Sequence, residues 1–78
     1  MSNWKITLHA VEKEALLSHR SLPVQLSQIR KELAAFAEIA IPERYLPNGR
    51  VKMRAAGYQG RLIAIPAQKK IVTVTLLD

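Results

Sequence analysis

Apolar positions along the chain change their spacing from helical to alternating near residue 50. From Leu8 to about Ser18 they follow a helical stripe, with Leu8, Val11 and Ala15 in line and Leu16 beside it. Trp4 to Thr7, just ahead, reads as a short extended piece. Thr7 is a fair N-cap, because its hydroxyl can accept from a first-turn amide. Ser21-Leu22-Pro23 interrupts the stripe. Proline is tolerated in the first turn of a helix, where its missing N–H is no loss, so Ser21 is expected to cap a second helix. That helix carries the clearest pattern. Leu22, Leu26, Ile29, Leu33, Phe36 and Ala37 line one face, and Gln25, Gln28, Lys31 and Glu32 the other. It should end near Ile39, before Pro42.

Leu46-Pro47-Asn48-Gly49 is a turn by its chemistry, since Asn-Gly readily supplies positive φ. Beyond it the period becomes two. Arg50, Lys52 and Arg54 alternate with Val51, Met53 and Ala55, which predicts a half-buried strand with a basic outer face. Gly57-Tyr58-Gln59-Gly60 predicts a hairpin turn, Leu62 to Ile65 a second strand stopped by Pro66, and Ala67-Gln68-Lys69 another turn. Lys70 to Leu77 is the strongest strand, and its apolar run suggests burial on both faces, with Thr73 and Thr75 as the polar exceptions. The expected fold is a single α+β domain over residues 1–78. Two N-terminal helices pack on a C-terminal antiparallel three-stranded sheet, in the order ααβββ.

Composition narrows the class. Hydrophobic residues make up 49% of the 78 and charged residues 23%, which is the balance of a folded domain and not of a disordered tail. A domain this small has a thin core. Cysteine is absent, which excludes disulfides and thiolate metal sites. No apolar run approaches the roughly 20 residues of a membrane-spanning helix, and no signal-peptide core follows Met1-Ser2-Asn3-Trp4-Lys5.

Charge adds more. Twelve Lys and Arg against six Asp and Glu give +6, and the two signs are segregated. Glu12, Glu14, Glu32 and Glu38 lie in the first half, with Glu43 close behind, whereas Arg44 to Lys70 holds seven basic residues and no acid. Such a stretch favours phosphate backbones, acidic membranes or an acidic protein through long-range attraction. A basic outer strand face also discourages edge pairing, and that use needs no ligand.

Several chemistries have no residues to carry them. The chain contains no glycine-rich phosphate loop, no His-x-x-x-His and no Gly-x-Ser-x-Gly turn, and neither a metal nor a cofactor is expected. His9 and Arg20 are eleven residues apart, almost three helical turns, so in one continuous helix both would share a face with Lys13 between them. A histidine passes protons near neutrality and an arginine holds a phosphate bidentately. Those two functions are the minimum for RNA transphosphorylation, where the 2′-hydroxyl of the substrate is the nucleophile. Both are equally ordinary surface residues of a helix, the arginine favoured near its C-terminus. Tyr45, Tyr58 and Trp4 are too scattered for a stacking platform.

The run Ile6-Thr7-Leu8-His9-Ala10-Val11-Glu12-Lys13, followed by His19-Arg20-Ser21-Leu22-Pro23, resembles the opening of small bacterial ribonuclease toxins of the barnase–EndoU–colicin–RelE fold group. Lys70-Ile71-Val72-Thr73-Val74-Thr75 resembles their last strand. The resemblance implies a metal-independent endoribonuclease acting in the cytoplasm on RNA, such as tRNA or mRNA, and restrained by an acidic immunity protein or antitoxin. It carries catalytic roles to His9 (general acid or base), Arg20 (phosphate neutralisation) and Thr73 (phosphate positioning). RNA-binding roles fall to Lys13, Arg50, Lys52, Arg54 and Thr75, although Thr75 stands where that group often has tyrosine. The alternative is a non-enzymatic basic module, or a small inhibitor, that uses the same face on nucleic acid or on an acidic protein.

Overall fold

The computed structural model describes residues 3–17 and 26–76. The expected cap Ser21, with His19, Arg20, Leu22 and Pro23, lies outside the described residues. Strand β1 (Lys5–Ile6) leads directly into helix α1 (Leu8–Leu17), and helix α2 (Leu26–Ile39) follows. Strands β2 (Ile41–Tyr45), β3 (Val51–Arg54), β4 (Arg61–Ile65) and β5 (Lys70–Thr75) complete the chain. They form one sheet in the order β1-β5-β4-β3-β2, with β1 parallel to β5 and the remaining neighbours antiparallel.

The expectation of a three-stranded antiparallel sheet is therefore corrected to a five-stranded mixed one, still with α+β character. The expected sheet leaves out two strands, for different reasons: β1 falls inside the extended piece expected over Trp4 to Thr7 but has no strand partner in that expectation, and β2 is not expected as a strand. β1 is only two residues long, too short to display a period, and backbone bonds from Lys5 N–H to the Lys69 carbonyl (2.7 Å) and from Thr7 N–H to the Ile71 carbonyl (3.2 Å) hold it. β2 contains Pro42, which reads as a stop. On an edge strand, though, the missing donor can face away from the ladder, and a register shift between Pro42 and Arg44 accommodates it. All five β2 residues are exposed, so burial left no apolar period to detect.

Thr7 joins the first elements. Its hydroxyl accepts from the Ala10 amide at 3.1 Å, capping α1, and donates to the Val72 carbonyl of β5 at 2.8 Å. In α1 the buried stripe is Ala10, Val11 and Ala15, while the expected core residue Leu8 stays 55% exposed and Leu16 70%. In α2 Ile29, Leu33 and Ala37 are buried as the pattern required, with Leu26 and Phe36 packed beside them. These residues form one core with Ile6, Val51, Met53, Ala55, Leu62, Ala64, Ile71 and Val74 from one face of the sheet. Burying each of the larger ones contributes about 1.5–3 kcal/mol.

β5 is not buried on both faces as its composition suggested. Only Ile71 and Val74 are buried, three residues apart where a regular strand would place inward residues two apart. Ile63 pairs with Thr73 and Ala64 with Ile71, so Val72 is an extra residue that resets the alternation. At the β3–β4 turn, a Cβ on Gly60 would stand 2.5 Å from the Thr75 carbonyl oxygen, which restricts that position to glycine. Asn48 (φ 64°) and Gly49 (φ 73°) supply the positive φ expected of the Asn-Gly turn.

A candidate nucleic-acid interface on the open sheet face

Both helices pack against the same side of the sheet, and among the described residues nothing covers the other. Strand alternation decides what that open side presents. Val51 and Met53 point into the core, so Lys52 and Arg54 point out; Leu62 and Ala64 point in, so Arg61, Ile63 and Ile65 point out. Register then aligns these residues across strands. Arg44 pairs with Lys52, Lys52 with Ile63, and Ile63 with Thr73. On one side of that row Arg54 neighbours Arg61, which pairs with Thr75; on the other, Ile65 pairs with Lys70 and Lys70 with Lys5. Arg50, extended and exposed just before Val51, joins the last row by alternation.

One acid enters this field. Arg61 Nε donates to both carboxylate oxygens of Glu43, at 3.0 and 2.8 Å, and Arg61 Nη1 donates to the Gly60 carbonyl at 2.9 Å. The Arg61 hydrogen bond holds the exposed Glu43 carboxyl below its ordinary value against the opposing effect of desolvation, helped by the charges of Arg61, Lys52 and Arg54. Arg61 and Glu43 neutralise one another, and Arg44, Arg50, Lys52, Arg54 and Lys70 leave the face strongly positive.

The expected site residues fall into two groups. Arg50, Lys52, Arg54, Thr73 and Thr75 share the open face. His9 and Lys13 do not: both sit on α1, in the helix layer on the opposite side of the sheet. By helical spacing His9 lies nearly opposite the buried Ala10–Val11–Ala15 stripe and is exposed. His9 and Thr73 are therefore separated by the helix and the sheet. Arg20 lies outside the described residues, so the expected trio is not assembled within them. Thr73 Oγ1 has the Val74 carbonyl at 3.4 Å, a long approach for a hydrogen bond.

Arg44, Arg61 and Lys70 belong to the cationic stretch read from the sequence but are not among the residues expected to have an RNA-binding role. Their signal was the unbroken basic stretch from Arg44 to Lys70, but assigning them to one face required strand register. Among the described residues no three His, Asp or Glu side chains lie together as a metal site, and no helix is long and apolar enough to cross a membrane. No family model, curated protein or solved structure matches the chain.

Proposed function

We propose that this protein binds RNA through the open face of its sheet, gripping the phosphate backbone and not reading bases. The carrying observation is the alignment of Arg44, Arg50, Lys52, Arg54 and Lys70 on one uncovered surface whose only acid among the described residues, Glu43, is already neutralised by Arg61. Arginines grip phosphate oxygens bidentately, and a twisted row of cations can follow a backbone. The open face carries no aromatic side chain in its rows, which favours sequence-tolerant electrostatic binding.

Fluorescence anisotropy of labelled RNA with wild type and the K52A/R54A variant tests the reading. Binding that weakens tenfold or more in the variant supports it, because each charge-assisted hydrogen bond to phosphate is worth roughly 1.5–3 kcal/mol. Equal binding by both proteins, or none by either, overturns it. If an acidic protein binds the same face while RNA does not, the partner is protein.

Cleavage, which the resemblance to ribonuclease toxins implies, lacks the same support. RNA lying on the open face would be out of reach of the His9 imidazole, on the far side of the sheet. Incubation of RNA with the folded protein in excess chelator should leave it intact, and H9A should bind as tightly as wild type. Products ending in 2′,3′-cyclic phosphate, formed by wild type and absent with H9A, would restore the endoribonuclease reading.

A further inference from the structure

The basic face does not stop at the end of the sheet. Its last row runs from Arg50 and Ile65 through Lys70 to Lys5 on β1, the edge strand. Around that edge, where α2 packs beside β1, lies a groove of about 630 Å³. Its half-buried lining includes Trp4, Leu26 and Ala34, and its exposed lining includes Lys5, Arg30 and Lys31. Helical spacing explains the arrangement. Leu26, Arg30 and Ala34 are four residues apart and form one stripe of α2, with Lys31 one position further round. The nearest acid along this stripe is Glu38, which accepts from the Asn3 amide at 3.2 Å at the other end, away from Arg30 and Lys31.

An indole and an aliphatic wall bordered by three cations suit a ligand with one flat apolar part and one anionic part. A nucleotide has this build: its base has a π-face and its phosphate is one bond from the sugar. We propose that this groove seats one nucleobase against Trp4 with the adjoining phosphate on Arg30 and Lys31, fixing one end of an RNA strand whose backbone crosses the sheet face. The inference deepens the RNA-binding reading and rests on it. A purely electrostatic sheet holds any polyanion, whereas this subsite requires a base.

Trp4 is the chain's single tryptophan, so its emission reports the groove directly. A short oligouridylate is titrated while anisotropy of its label follows total binding and tryptophan emission follows the groove. The expected result is saturable quenching of Trp4 over the same concentrations that raise the anisotropy. Inorganic polyphosphate, which has charge but no base, should displace the oligonucleotide without quenching. Trp4→Ala should weaken oligouridylate binding by about tenfold, within the range that base–aromatic stacking supplies. Arg30 and Lys31 are exposed, so R30A/K31A leaves the core untouched and should likewise shift the quenching midpoint upward if Trp4→Ala fails to fold. Rising anisotropy with unchanged Trp4 emission, or equal quenching by polyphosphate, overturns the groove while leaving the sheet-face reading intact. Unchanged anisotropy removes both.

Discussion

Thr7 shows how one hydroxyl can serve two elements. It caps α1 through the Ala10 amide and ties the helix start to β5 through the Val72 carbonyl. Thr7→Ala is expected to lower unfolding free energy by about 1–2 kcal/mol, the cost of removing a cap, and Thr7→Ser to restore most of it; chemical denaturation of the three proteins measures this. Tyr58 makes a comparable link. Its hydroxyl donates to Glu14 Oε1 at 2.6 Å, and its ring centroid lies 5.0 Å from that of Phe36. Burial, reinforced by the hydrogen bond to Glu14 and by that carboxylate's charge, raises the phenol well above its ordinary value near 10. A folded-state value above the unfolded one means the neutral phenol favours the native state. That contribution is complete below pH 10 and is lost as pH climbs from there toward the folded value. Wild type should therefore exceed Tyr58→Phe in stability at neutral pH, by about 1 kcal/mol, with the difference shrinking above pH 10. A difference that stays constant up to strong alkali would contradict this assignment.

At the scale of elements, the sheet is unevenly loaded. β4 and β5 hold Leu62, Ala64, Ile71 and Val74 against the helices, each at most 1% exposed, whereas no residue of β2 is buried. Leu62→Ala should cost about 2–5 kcal/mol, the usual penalty for a cavity in a packed core. Ile41→Ala and Tyr45→Ala, at 50% and 78% exposure, should each cost about 0.5 kcal/mol or less. Thermal melts of the three variants rank them. The same loading explains which elements could be read from the residues. α2, β3 and β4 bury one side continuously, so their periods of 3.6 and 2 are visible. The existence of α1 is legible, but its buried stripe differs from the expected one. Leu8 fits the expected line by spacing, but β5 and α2 cover the Ala10 side instead, and the alanines there allow the helix to lie close.

For the whole molecule, the deciding feature is the separation of charge between layers. Glu12, Glu14, Glu32 and Glu38 belong to the helices, and the cations of the 44–70 stretch belong mostly to the open face. If RNA lies on that face, the logarithm of its dissociation constant should rise linearly with the logarithm of salt concentration. For single strands the slope is roughly 0.7 per phosphate neutralised. K52A/R54A should flatten this slope by roughly 1 to 1.5, whereas an affinity indifferent to salt would place the binding surface elsewhere. Anisotropy titrations at several salt concentrations give both values.

The residues by themselves determined the two helices, three of the five strands, the extended character of the segment ahead of α1, the Asn-Gly turn, the exclusion of cysteine chemistry and the basic character of the second half. All of these are local properties, carried by spacing, by turn chemistry or by counting. Tertiary structure alone decided that Lys5–Ile6 pairs with Lys70–Ile71, more than sixty positions away, and that the proline-containing segment after α2 closes the other edge. It also decided that the Val72 bulge leaves only one face of β5 buried, and that His9 and Thr73 end on opposite sides of the sheet. A sequence period reports which side of an element avoids water. It carries no information about which other element provides that shelter, and the distance between two candidate catalytic residues depends on that second choice.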